Sequence, residues 1–252
     1  MASDLGLRVR TAHGDAWQAH GRLRAGHGGG ATEIPGARLM ASGISHPQWN
    51  NADLTGPDVD VAVLRAWYAE RHVPWGIRVP PEVTIALGRP LFHKRCAVLL
   101  PGRLEVPPLP AGVTLRRAGP GDAARYATAD AAVFDDDVEL TRRWIEPMLG
   151  HPACALWLAE HDGAPVGVAS ALRTDDRAGP AAYLTGVGVL APWAERGLAR
   201  ALTAAAAEAA LTEGADLVHG NPDDEELPDL VALGFVEVPG FEVRLVVGPE
   251  EL

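Results

Sequence analysis

The sequence predicts an α/β (α+β) protein, a sheet of mixed strands flanked by helices and carried by two successive regions. Three observations predict it. Residues 183–202, YLTGVGVLAPWAERGLARAL, read as a strand, a short Arg-Gly loop and the start of a long helix. Strand and helix signals keep alternating downstream of that loop as far as residue 238. Residues 101–112, PGRLEVPPLPAG, are dense in Pro and Gly and mark a boundary or an extended edge segment. The expected domains are residues 1–105 and 106–252.

In the first region, residues 20–36 (HGRLRAGHGGGATEIPG) are glycine-rich and read as a loop. Residues 39–44 suit a strand. Residues 60–70 suit a helix, because Val61, Leu64, Trp67 and Tyr68 fall on one face. Residues 75–79 and 95–100 suit two further strands. In the second region, Val113 to Ala118 reads as a strand, and Pro120-Gly121-Asp122 opens a helix with Asp122 as its cap. Residues 141–149 read as a second helix. Residues 153–160 and 165–173 form a hairpin around Asp162-Gly163. The strand at 183–190 is rich in β-formers and stops at Pro192. An Ala/Leu/Glu helix over 198–213 ends at Gly214. A short strand covers 216–219. Asn221-Pro222 followed by acids predicts a helix running to Leu233 and stopping at Gly234. A last strand begins at Phe235.

Composition narrows the function classes. A hydrophobic content of 47% over 252 residues can build a sizeable core. No apolar run reaches the length needed to span a membrane, and MASDLGLRVR has no apolar signal core. The expectation is a soluble cytoplasmic enzyme. Cys96 and Cys154 fit no metal spacing and read as reduced thiols; no metal is expected. With 33 acidic against 22 basic residues the net charge is −11, which argues against a nucleic-acid partner. Acidity serves solubility and mildly favours a cationic small molecule.

The loop at 191–200 carries the chemistry. A helix N-terminus offers unpaired N–H groups and partial positive charge, and small residues let a phosphate approach them. Gly197 and Ala199 are small, and Arg196 and Arg200 flank them with permanent charge. The string is neither a Walker loop, for Lys94 is the only lysine, nor Gly-x-Gly-x-x-Gly after a first strand. A bare strand–helix junction with a helix-starting glycine is the plain alternative.

Strand, Arg-Gly-x-Ala, helix resembles the coenzyme-A loop of the GNAT acyltransferase superfamily. That family's Arg/Gln-x-x-Gly-x-Gly/Ala falls on Ala194-Glu195-Arg196-Gly197-Leu198-Ala199. The glycine and last small residue match; Ala194 replaces the leading Arg/Gln, leaving Arg196 or Arg200 to compensate. Leu233-Gly234-Phe235 resembles the family's second conserved segment, and Val113 to Asp122 resembles its first strand and helix. The resemblance runs from about Val113 to Val247. It implies a mainly antiparallel GNAT sheet, with the first region as a shortened, degenerate GNAT-like repeat or an unrelated α/β cap. It also implies binding of acetyl-CoA or another acyl-CoA through Val187, Val189, Leu190, Glu195, Arg196, Gly197, Leu198, Ala199, Arg200 and Asn221.

Acyl transfer to an amine needs a neutral amine, a stabilised thioester oxygen and a proton for the leaving thiolate. Gly186 and Gly188 suit a bulge that bares strand N–H groups. The usual carboxylate and tyrosine positions of the family hold Thr185 and Leu230, so His219 and Tyr183 are the substitutes to examine, each with core packing as the commoner role. His46, Trp49, Asn50 and Asn51, in HPQWNN, are candidates to line an acceptor pocket, against a simple turn with a packed Trp. Asp135-Asp136-Asp137 is a solvated charge run or a recruiter of cations. The expected activity is N-acetyl transfer to a small-molecule amine by direct attack in a ternary complex. A non-catalytic acyl-CoA sensor and a different acyl or carrier-protein donor remain the alternatives, and the chain is a monomer or a homodimer.

Overall fold

The computed structural model describes residues 2–46, 48–248 and 250. Clustering of its contacts separates two compact units, Met1–Arg95 with Val238–Leu252, and Cys96–Glu237. The expected cut at 105/106 differs at both ends. The Pro/Gly stretch packs with the second unit, where the Glu105 N–H donates to Leu233 O at 3.0 Å. The chain's last strand returns to the first unit by pairing there, so that unit is discontinuous in sequence.

The first unit opens with α1 (Ala2–Leu23). It continues through β1 (Gly30–Ile34), β2 (Ala37–Ala41), β3 (Asn50–Leu54), α2 (Val61–Ala69), β4 (Trp75–Val79) and the start of β5 (Arg89–Leu99). Strands β1, β2 and β3 form an antiparallel meander, and β3 pairs in parallel with β4 across the α2 crossover. The last strand, β11 (Val236–Val247), pairs antiparallel with β4. The expected loop over 20–36 is corrected here: its start completes α1, and residues 30–34 are β1. Glycine signals misled because Gly14 and Gly21 are packing residues. A Cβ at Gly21 would collide with Gly30 O, and one at Gly14 would sit 2.8 Å from Arg38 Nη1. Close approach to the sheet outweighs the helix-propensity cost of glycine, about 1 kcal/mol each.

The second unit runs β6 (Val113–Arg117), α3 (Ala123–Phe134), α4 (Val138–Ile145), β7 (Cys154–His161), β8 (Ala164–Asp176) and β9 (Gly179–Val189). It then continues through α5 (Leu198–Thr212), β10 (Val218–Gly220) and α6 (Leu227–Ala232). The strand order is the end of β5, then β10, β9, β8, β7 and β6. All pairs are antiparallel except β9 with β10, joined by α5. The mixed, mainly antiparallel sheet expected from the sequence is present. On β8, Gly167, Ala169 and Ala171 turn toward α5, while Ser170 turns the other way, toward α3. Small residues on that first face let the alanine side of α5, Ala204, Ala207 and Ala210 among them, seat directly on the sheet.

Asp122 fixes the start of α3. Its carboxylate accepts from the Gly119 N–H at 2.8 Å and from Arg116 at 2.7 and 2.9 Å, which holds its pKa down to about 2. The Tyr126 hydroxyl donates to Ala169 O at 3.0 Å and pins α3 to β8. The helix expected from Asn221 starts later, at Leu227. Asn221 does not cap it: its Nδ2 donates to Cys96 Sγ at 3.2 Å, and Asp223 accepts from the N–H groups of Glu225 and Glu226 instead.

Candidate active site: a bulged strand and a bare helix terminus

Strand β9 carries an extra residue. Val168 pairs with Gly188, yet Ser170 pairs with Thr185, so β9 spends three residues where β8 spends two. Gly186 takes a positive φ of 57° at this bulge, a conformation that favours glycine. The Ser170 hydroxyl donates to Thr185 O at 2.7 Å and fixes the kink. Gly188 has a different reason: a Cβ there would overlap Val133 Cγ1 and lie 2.9 Å from Phe134 Cζ, so the end of α3 presses on bare strand.

Beyond the bulge β9 leaves its neighbour. Strand β10 pairs with it over Val218↔Ala182 and His219↔Tyr183, and among the described residues the pairing goes no further. The direction of the freed N–H groups follows from the ladder. The Leu190 N–H donates to Val166 O at 2.9 Å, which makes Gly167↔Val189 a non-hydrogen-bonded pair with β8. The Val189 N–H therefore points to the opposite edge, where β10 has ended, and by alternation so does that of Val187. Residues 185–189 are all half-buried.

The strand leads to a 3-10 turn, Ala191–Arg196, and then to α5. Gly197 is the helix N-cap, with φ 72° and no side-chain cap, and nothing lies within 4 Å of where its Cβ would stand. The first-turn N–H groups of a 15-residue helix thus meet a bare backbone. Arg196 lies over the Trp193 ring at 4.6 Å. Arg200 reaches Asp229 at 3.6 Å, and its buried Nε has no hydrogen-bond partner among the described residues. Orphaned guanidinium nitrogen, uncapped helix terminus and open glycine together fit a diphosphate. Leu198 contributes only backbone here, because its side chain is fully buried with Trp193 and Leu202; Glu195 is exposed.

The other sequence candidates lie elsewhere. His219 is buried in β10 and stacks on Tyr183 with ring centroids 5.0 Å apart. Burial pushes its pKa down to about 3, so the ring stays neutral in a packed core. Tyr183 is buried with it. Both rings therefore pack inside the core. Leu230 packs against the α5 core. His46, Trp49, Asn50 and Asn51 all belong to the first unit, where the two asparagines bond mainly to the backbone around them. Asn50 Oδ1 accepts from the Ser42 N–H and hydroxyl, and its Nδ2 donates to Ile44 O and His46 O. Asn51 donates to Gln48 O at 2.7 Å, and His46 stacks on Trp49 at 4.2 Å. Pro47 of that hexapeptide lies outside the described residues.

Sequence reading passed over Asp130. It sits on α3, half-buried, and its Oδ2 lies 3.7 Å from the Cβ position of Gly186. Burial and, second, the nearby Asp136 carboxylate raise its pKa to about 7. An isolated acid in an amphipathic helix gives no sequence signal. A cleft of about 440 Å³ lies along the same helix, lined mainly by Ala124, Thr128, Ala129, Ala132, Pro165 and Leu190. Among the described residues no group of His, Cys, Asp and Glu could hold a metal ion, and no helix is long and apolar enough to cross a membrane.

Residues 123–235 match the model of the acetyltransferase (GNAT) family, so the chain carries a GNAT domain. Its span is that of the bulged strand, the helix terminus and α3. Among solved structures, a GCN5-related N-acetyltransferase from Kribbella flavida aligns over 97% of this chain and 96% of its own, at TM-score 0.70 and 20% identity. A conserved protein of unknown function from Staphylococcus epidermidis aligns over 85% of this chain and 91% of its own, at TM-score 0.60 and 13% identity. At such identities the likeness is one of fold. No curated protein matches the sequence.

Proposed function

We propose that the chain is an acyl-CoA-dependent N-acyltransferase, with acetyl-CoA as donor and a small-molecule amine as acceptor. One observation carries this reading: the strand edge freed on β9 is followed, after one 3-10 turn, by the bare N-terminus of α5. The backbone of Leu198, Ala199 and Arg200 would hold the diphosphate, with Arg196 and Arg200 supplying charge. Glu195 and Asn221 would contribute further contacts to the coenzyme. The N–H groups of Val189 and Val187 are aimed to polarise a carbonyl oxygen, the kind of preorganised donor that stabilises charge as it develops. When bound, the coenzyme supplies the thioester. Thr185 spaces the bulge through its carbonyl, and His219 and Tyr183 support the strand from the core. Orientation of the amine beside the strand edge supplies much of the rate. Neither cysteine lies at the bulge, which favours direct attack in a ternary complex over a covalent enzyme intermediate.

The first unit supports a further part of this reading, that it is a GNAT-like repeat without coenzyme. Its antiparallel meander, crossover helix and parallel strand repeat the order of β7, β8, β9, α5 and β10. The HPQWNN turn acts there as a structural corner.

Calorimetric titration with acetyl-CoA and CoA tests the proposal, repeated on Gly197→Trp. Micromolar binding that weakens at least about tenfold, or ~1.4 kcal/mol, in the variant is the expected result. Free-thiol release with a panel of amines then reads turnover. Absence of binding by the wild type would overturn the reading. Binding with no thiol release from any amine would favour an acyl-CoA sensor, consistent with Thr185 and Leu230 at the family's usual catalytic positions.

A further inference from the structure

We propose that the Asp130 carboxylate takes the proton from the acceptor's ammonium group, at the mouth of the Gly186 bulge. The inference rests on the acyltransferase reading above and names the base that reading lacks.

Geometry is the first argument. The carboxylate Oδ2 is 3.7 Å from the Cβ position of Gly186, and so is Ser170 Oγ. Acid, hydroxyl and bulge therefore meet on one face of the strand, where the N–H edge of β9 begins to open. Gly186 has no side chain to screen the acid from that point. Among the described residues nothing donates a hydrogen bond to Asp130, so its lone pairs are not spent on structure. A half-buried carboxylate without a donor is costly. A cationic amine supplies the missing partner.

Charge is the second argument. The groups bearing on Asp130 are the Asp136 carboxylate in the turn after α3 and the Tyr126 phenol one turn back. On neighbouring elements the charged groups are engaged or turned outward. Asp122 is held by Arg116 before α3. On α4, Arg142 bonds Glu139 and Glu146, and Arg143 is exposed. Strands β8 and β9 offer it Ser170 and Gly186, and the Tyr183 ring of β9 stacks on His219. Among the described residues no cation neutralises the acid. Its pKa, raised to about 7 by burial and then by Asp136, matches what a proton acceptor needs near neutrality.

The step balances as follows. Asp130 removes one N–H proton from the ammonium, and the freed nitrogen lone pair forms the C–N bond to the thioester carbonyl carbon. The C–S bond breaks with its electron pair on sulfur. The nitrogen's second proton neutralises the thiolate, and Asp130 returns its own proton to solvent.

The test uses the full chain with Asp130→Asn and Asp130→Glu, each checked for folding by circular dichroism. Calorimetry with CoA should give the wild-type affinity for both. With an amine from the panel, kcat/KM of the wild type should rise with pH through an apparent pKa near 7. In the Asn variant it should fall at least about 100-fold and lose that inflection, with the Glu variant partly restored. A second readout needs no turnover: ¹³C-labelled aspartate should show one carboxyl titrating near pH 7 that vanishes in Asp130→Asn, and its midpoint should fall when an ammonium ligand binds. Wild-type kcat/KM in the Asn variant, or a carboxyl that titrates near 4, would overturn the assignment and leave the acyltransferase intact. Absence of CoA binding by the wild type would overturn both.

Discussion

Two crossover helices show how one arrangement can be left open or closed. In each unit an antiparallel meander ends in a strand that passes through a helix into a parallel neighbour. Helix α2 begins at Asp60, whose carboxylate accepts from the N–H groups of Ala62 and Val63 at 3.0 and 3.1 Å. Helix α5 begins at Gly197 with no side-chain cap. The first terminus already carries its anion, so the macrodipole is satisfied from within. The second is bare. The strands before them differ in the same sense. Strand β3 stays paired with β4 and is almost wholly buried, whereas β9 bulges, parts from β10 and stays half-buried to its end.

Buried polar groups extend the contrast. In the first unit Arg38 bonds Asp15, Gln18 and Thr11 O, and Arg78 grips Asp53 at 2.5 and 3.1 Å beneath the Trp17 ring. Both of these guanidinium groups have a carboxylate partner inside the fold. At the bulge of the second unit, the half-buried Asp130 has no counter-charge among the described residues. A binding or catalytic surface needs hydrogen-bonding capacity that folding has not consumed, and the second unit keeps it at the bulge and at the start of α5.

The largest effect expected from breaking this contrast lies in the closed unit. Asp15→Ala leaves buried Arg38 with only the more exposed Glu33, 3.7 Å away, as counter-charge and should cost about 3 kcal/mol in a urea melt; a loss below about 1 kcal/mol would mean that Glu33, Gln18 and Thr11 suffice. The next is Asp130→Asn. Its folded pKa, about 7, lies above that of an unfolded carboxyl, so the ionised form is disfavoured by the fold. The penalty is absent below about pH 4, grows as pH rises through 4 to 7, and is complete above. The Asn variant should therefore be more stable than wild type by about 2 kcal/mol at pH 8, after allowance for solvent screening, and equal to it at pH 4. Equal stability at both pH values would remove the electrostatic half of the Asp130 argument. The smallest is Asp60→Ala, which should cost about 1 kcal/mol through lost capping. It should leave CoA binding untouched, because no bulged strand edge precedes α2; new binding would show that the cap alone separates the units.

Local chemistry made much of the second unit legible. Asp162-Gly163 announced its hairpin, Gly214 its helix end, and Gly186 with Gly188 the bulge in β9. The family's loop was readable because contiguous residues build it. The first unit was harder. Gly6, Gly14 and Gly21 disguised α1, since their use is contact with residues far along the chain. The HPQWNN cluster carried the residue types of a pocket, and both side-chain groups of Asn50 bond to nearby backbone or to Ser42. His219 showed the chemistry of a base, and burial removed it.

Sequence by itself determined the 162–163 hairpin turn, the bulge in β9 and the starts of α2, α3 and α5, because φ preference, capping and periodicity act over a few residues. Tertiary structure alone decided three things. It returned the last strand to the first unit, buried His219 against Tyr183, and set Asp130 opposite Gly186. Each depends on desolvation and on contacts between residues distant in the chain. Free energies of that kind belong to the assembled fold and not to any window of its sequence.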